Sequence, residues 1–208
     1  MQRRIFTLTA FGAFTSSLSY GQAAPFHEGK HFVALQQRQP TRDPKQIEVL
    51  EFFAYGCSHC DKFDPAIDSW QKKLPKGVTF RRIPVAFREA AVVHQRLYFA
   101  VEDLGLIEQL HRKIFHAMHV DRKRLDKPAE IAEFVASQNV DKEPFMKAFE
   151  SFSVATKAKQ ASDLTSGYRV DGTPSIGVNG RWLTSGSMAG SNEQSLLVAE
   201  YLVRQAGR

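Results

Sequence analysis

Cys57 and Cys60 are the only cysteines among 208 residues, and only Ser58 and His59 separate them. Two thiols at this spacing can close a disulfide with little backbone movement and open it again. The same spacing makes a poor structural staple, because so small a loop removes little entropy from the unfolded chain. It is at most half of a zinc site, and the remaining ligands would have to be histidines. His111, His116 and His119 share one helical stretch, but no carboxylate or thiol is paired with them, so no metal is expected. Reversible redox exchange is the chemistry that the pair supports best.

That chemistry needs elements that hold the sulfurs in place. The run Ile47 to Tyr55 has little polar alternation and reads as a central strand covered on both faces. After the cysteines, Phe63, Ile67, Trp70 and Leu74 recur at helical spacing, and Pro65 predicts a kink within that helix. Cys57 therefore falls at a helix N-terminus, where unpaired backbone N–H groups favour an anion. Its thiolate should form well below the free value of about 8.5, and an imidazolium at His59 would add to the effect. Cys60, one turn further in, is placed to be the buried resolving thiol. A stabilised Cys57 thiolate favours the reduced form, which makes the disulfide an oxidant.

Around this unit, His31 to Gln36 alternates like a short edge strand, and Pro40, Asp43 and Pro44 mark a loop. Gly77 closes the helix, and Val78 to Phe87 reads as a second strand, giving a parallel crossover. Residues 89–165 carry helical periodicity almost throughout. Leu97, Val101 and Leu104 mark one helix, ended by Gly105; Leu106, Leu110, Ile114 and Met118 mark the next. Pro128 suits the start of a third. Asp141 caps a fourth that carries Phe145, Phe149 and Phe152, and Val154, Ala158, Ala161 and Leu164 mark a fifth. Asn179-Gly180 predicts a two-residue hairpin turn between strands at 175–178 and 181–184. Ser191 and Gln194 form a capping box for a final helix.

The N-terminus reads as an export signal. Arg3 and Arg4 precede a short apolar stretch from Ile5 to Phe14, and Gly21-Gln22-Ala23 suits cleavage after Ala23. Arg3-Arg4 also fits, less well, a twin-arginine signal. An exported chain meets an oxidising space, where a dithiol can persist as a disulfide. The formal charge is +6, or +4 without Arg3 and Arg4, and the excess is scattered. The one basic run, Arg122-Lys123-Arg124, has Asp121 and Asp126 beside it and reads as a solvated loop. No nucleic-acid partner is expected.

A further signal lies far along the chain. Gly172-Thr173-Pro174 precedes a strand, and the sequence alone is compatible with either a cis or a trans bond at Pro174. Glu51-Phe52-Phe53-Ala54-Tyr55-Gly56-Cys57-Ser58-His59-Cys60, Arg82-Ile83-Pro84-Val85-Ala86-Phe87 and Val170-Asp171-Gly172-Thr173-Pro174-Ser175 together resemble the DsbA family of periplasmic thiol:disulfide oxidoreductases. The resemblance covers nearly all of the chain after residue 23. It implies an α/β thioredoxin fold, with residues 24–88 and 166–208 enclosing a helical insertion subdomain at 89–165. It implies that Cys57 is the exposed nucleophile, that Cys60 is its buried partner, and that Pro174 is cis and faces the dithiol. Thr173 would offer backbone groups to a bound polypeptide, with Ser58 also at the substrate side. Glu51 matches a family acid that assists proton transfer at the inner cysteine. Its apolar sequence neighbours favour burial and a raised pKa over a surface position.

Two departures stand out. Ser58 replaces the proline common between the family cysteines, which frees the turn and adds a hydroxyl. Thr173 stands where many family oxidases have valine, as in disulfide isomerases, although the N-terminal dimerisation domain of those isomerases is not expected here. The resulting expectation is a monomeric periplasmic dithiol oxidase with no cofactor beyond its own disulfide. It would act on unfolded or folding secreted polypeptides and be recharged by a quinone-coupled membrane partner of the DsbB kind. A reductase or isomerase of the same fold, and a chaperone-like module with a structural disulfide, are the alternatives.

Overall fold

The structure, a computed structural model, describes residues 25–207. The expected signal peptide at 1–23 lies outside the described residues. A short strand β1 (Val33–Ala34) is followed by β2 (Ile47–Phe53), helix α1 (Ser58–Gln71) and β3 (Val78–Pro84). Helices α2 (Val92–Asp103), α3 (Ile107–His119), α4 (Pro128–Ser137), α5 (Lys142–Phe149) and α6 (Phe152–Gly167) come next. The chain then returns through β4 (Ser175–Val178), β5 (Trp182–Ser185), α7 (Gly186–Ala189) and α8 (Asn192–Ala206). Among the described residues no helix is long and apolar enough to cross a membrane.

The five strands lie in the order β1-β5-β4-β2-β3. The β2–β3 pair is parallel, as the intervening helix requires, and the other three pairings are antiparallel. β2 is buried on both faces because successive side chains enter different cores. Val49 joins Phe63, Ile67, Ile176, Val198 and Leu202 on the side of α1 and α8. Leu50 and Phe52 join the side built from the helical segment, with Leu97, Ile114, Phe145 and Tyr168. Burying each such side chain contributes roughly 1.5–3 kcal/mol.

Several expectations are corrected locally. The second strand stops at Pro84, short of Phe87, which is 54% exposed. Phe152 does not continue the stripe of α5. Glu150 ends that helix, Ser151 caps the next through the Val154 N–H, and Phe152 is left 87% exposed. α6 runs to Gly167, past the expected boundary at 165. Leu74 lies beyond the end of α1. α1 itself passes through Pro65. Proline leaves the carbonyl four residues earlier without its usual donor. Arg112 supplies one, with Nη1 2.9 Å from the Asp61 carbonyl oxygen.

The hairpin turn follows its sequence. Asn179 and Gly180 both have positive φ, at 52° and 66°, as a two-residue turn of this type demands. Ser191 caps α8 by accepting from the Gln194 N–H. The four-residue helix α7, between β5 and α8, has too few residues to leave a periodic signal.

Candidate active site

Cys57 is the N-cap of α1, in extended conformation, and its Sγ lies 3.2 Å from the Cys60 backbone N. This is the bond that a capping Ser or Asp normally makes, here accepted by sulfur. Both cysteines are free thiols; Cys57 is partly exposed and Cys60 wholly buried. The two environments split the pair. A hydrogen bond from the Cys60 thiol, helped by the Thr173 side chain and the backbone N–H groups of Cys60 and His59, outweighs partial burial and lowers Cys57 to about 5. Burial drives Cys60 strongly upward, and the neighbouring Cys57 sulfur adds to the rise. One sulfur is thus an anion at neutral pH and the other a thiol.

The peptide bond between Thr173 and Pro174 is cis. The Thr173 carbonyl oxygen lies 3.3 Å from Cys57 Sγ, across 116 positions of sequence. Ser175 Oγ donates to the Gly172 carbonyl and holds the loop. His59, Gly172, Thr173 and Pro174 line a cleft of about 400 Å3 on this side. The His59 imidazole is exposed, and the group that His59 brings to the sulfur is its backbone N–H. Ser58 is also exposed, and among the described residues no hydrogen bond joins its hydroxyl to either sulfur.

Glu51 is 1% exposed, and burial pushes its carboxyl up to about 7 against the pull of Arg82. Its surroundings are not apolar, as its sequence neighbours suggest. Arg82 Nε donates to Glu51 Oε2 at 3.0 Å, and Arg82 Nη2 donates to Asp64 Oδ1 at 3.1 Å. Asp64 Oδ1 also meets His111 Nε2 at 3.2 Å, and His111 Nδ1 lies 2.9 Å from the Tyr55 hydroxyl. Burial lowers the His111 pKa, so the ring is neutral. A carboxylate only accepts, which puts the ring proton on Nε2 and leaves Nδ1 to accept from Tyr55. For Asp64, burial alone would raise the pKa, but the His111 hydrogen bond and the nearby cations outweigh it and hold the carboxyl low.

Sequence reasoning assigns no site role to Asp64, Arg82 or Tyr55, and offers His111 only as a possible metal ligand. Asp64 carried a signal, since an acid lies on the same stripe as Cys60 and Ile67. The three helical histidines disperse: His111 joins this network, His119 bonds the Tyr55 carbonyl and His116 faces Asp121. Among the described residues no group of three or more His, Cys, Asp or Glu could hold a metal ion.

A parallel βαβ unit, an antiparallel hairpin and an inserted helical segment define a thioredoxin-fold protein, with a dithiol at the first helix after the central strand. The family model of the DSBA-like thioredoxin domain matches residues 89–201. The thiol:disulfide interchange protein DsbA of Azotobacter vinelandii is 39% identical over 199 residues, covering 96% of this chain and 92% of its own. That of Pseudomonas aeruginosa is 37% identical over 199 residues, with 95% and 94% covered. The crystal structure of Pseudomonas aeruginosa DsbA matches with a TM-score of 0.85 at 36% identity, covering 88% of this chain and 95% of that one. DsbA from Xylella fastidiosa matches at 0.81 with 28% identity, covering 89% and 99%. The chain belongs to the DsbA family.

Proposed function

We propose that this protein donates the Cys57–Cys60 disulfide to other chains in the periplasm. Thiol:disulfide exchange itself follows from family membership; the direction of exchange, the compartment and the residue roles are the proposal. The observation that carries it is the contrast between the two sulfurs, one a partly exposed helix-capping anion and the other a buried thiol.

In the oxidised protein a substrate thiolate attacks Cys57 Sγ. The bond to Cys60 breaks, Cys60 leaves with the electron pair and takes up a proton, and substrate and Cys57 are joined in a mixed disulfide. A second substrate thiolate then attacks the substrate's own sulfur. Cys57 leaves as a stabilised thiolate, the substrate has lost two electrons, and the protein holds both. Glu51, titrating near 7, suits the residue that supplies and recovers the Cys60 proton. The cleft at Thr173 and Pro174 suits an extended substrate backbone. Export by residues 1–23, unfolded secreted substrates, a monomeric state and a quinone-coupled membrane reoxidant complete the reading.

The test is the equilibrium potential of the Cys57/Cys60 couple, measured against glutathione. A couple more oxidising than glutathione supports donation; a more reducing one assigns the protein as a reductase or isomerase. Cys57→Ser should abolish oxidation of a dithiol peptide, and Cys60→Ser should accumulate mixed disulfides on non-reducing gels.

A further inference from the structure

We propose that the cleft beside Cys57 selects substrate segments by negative charge, so that acidic stretches flanking a cysteine pair are oxidised fastest. This deepens the disulfide-donor reading and rests on it. The cleft measures about 620 Å3 and has Cys57 and Thr173 in its wall. Its apolar part is made by Val85, Phe87 and Met118. Its remaining wall carries Arg88, Arg122, Lys123 and Arg124, together with His94, His119 and one carboxylate, Asp126.

The basic triplet is an exposed loop, as its sequence suggests, but an anchored one. The loop between α3 and α4 is pinned by Leu125, which is 2% exposed, and by the Lys123 N–H on the Ala117 carbonyl at 2.8 Å. The neighbouring carboxylates neutralise only part of the charge. Asp126 meets Arg124 at 2.6 Å and His94 at 3.5 Å, Asp121 faces His116, and Glu130 faces Lys127. Arg88, Arg122 and Lys123 are exposed and make no ion pair with any carboxylate among the described residues. Three cations without a carboxylate partner thus lie in the wall of a cleft that contains the reacting sulfur, with the Lys123 ammonium also facing the Phe134 ring at 6.0 Å. Such a field draws in an acidic chain, speeds its encounter and repels a basic one.

The experiment oxidises three model peptides with the disulfide form of the protein. Each peptide carries two cysteines, flanked by Asp and Glu, by Ser and Gly, or by Lys. At low salt, kcat/KM for the acidic peptide should exceed that for the basic one by on the order of tenfold. At about 0.5 M salt, where screening acts within a few Å, the difference should shrink to about twofold. Arg88→Glu with Lys123→Glu should reverse the order, and Lys123→Gln alone should narrow it. Equal rates at low salt, or a preference that survives in the double variant, would overturn the proposal. So would competition by phosphatidylglycerol vesicles without discrimination among peptides, which would assign the cations to a lipid surface. Failure to oxidise any of the three peptides would remove the disulfide-donor reading beneath it.

Discussion

Arg82 sits directly opposite Glu51 in the parallel pairing of β2 and β3, and its Nε bonds Glu51 Oε2 at 3.0 Å. Both residues are almost wholly buried. An arginine so close would ordinarily hold a carboxyl well down. Here burial wins for Glu51 because the cation is shared with Asp64, which bonds both Arg82 and His111 and stays ionised. Two acids around one guanidinium end up with different tasks: Asp64 holds the charge, and Glu51 titrates in the physiological range.

Glu51→Gln tests that division. The folded pKa of about 7 lies above the ordinary carboxyl value of 4.5. Its contribution to stability is therefore complete below pH 4.5 and is lost as pH rises through 7. In the oxidised protein, where the cysteines do not titrate, this loss amounts to about 3 kcal/mol as an order of magnitude. Urea melts of the wild type from pH 4 to 8 should show the fall, and Glu51→Gln should not. Formation of the mixed disulfide by the variant should slow by about tenfold or more and lose its pH dependence near 7.

Cys60→Ala separates the two contributions to the Cys57 thiolate. It keeps the backbone N–H that Cys57 caps but removes the thiol that lowers Cys57 most. The Cys57 titration, followed by thiolate absorbance, should move up from about 5 by about one unit or more. An unmoved curve would leave the cap and the Thr173 loop as the whole cause.

What the sequence made legible was local. The Ser191 cap, the Asn179-Gly180 turn and the two-face burial of β2 each depend on neighbouring residues or on simple periodicity. The dithiol was legible because its helix begins at Ser58, between the two cysteines. The network under the site was not, because it joins Tyr55, Asp64, Arg82 and His111 from four separate stretches, and no short-range pattern aligns them. The same reason hid the place of Arg122-Lys123-Arg124. Its charge was plain, but its position beside Cys57 depends on how the helical segment folds back on the sheet.

Gly177→Ala should destabilise the fold through another long-range contact. A Cβ at Gly177, in the interior strand β4, would lie 2.4 Å from the Tyr168 ring. Tyr168 cannot easily retreat, since its hydroxyl accepts from the Gly180 N–H at 2.9 Å and its ring packs on Phe52. Overpacking of this kind costs about 1–3 kcal/mol. Thermal melts should show a clear drop in midpoint for either redox form, and an unchanged midpoint would mean that β4 shifts freely.

The reduced and oxidised proteins should also part company with pH. Cys57 titrates near 5 in the folded dithiol and near 8.5 in an unfolded chain. A depressed folded pKa contributes stability that is present above the unfolded value and lost as pH falls through the folded one. The disulfide form has no such group. The stability of the reduced form relative to the oxidised should therefore climb between about pH 5 and 8.5, reaching roughly 1–2 kcal/mol near pH 7 once solvent screening at the partly exposed sulfur is allowed for. That difference is what drives the disulfide onto another chain, since reduction relieves the less stable form. Below pH 5 the advantage vanishes and the protein should become a weaker oxidant. Paired urea titrations of both forms from pH 4 to 9 read this directly. A gap that stays flat across that range would leave Cys57 no better stabilised than a free thiol, and electron transfer toward this protein would have no electrostatic cause.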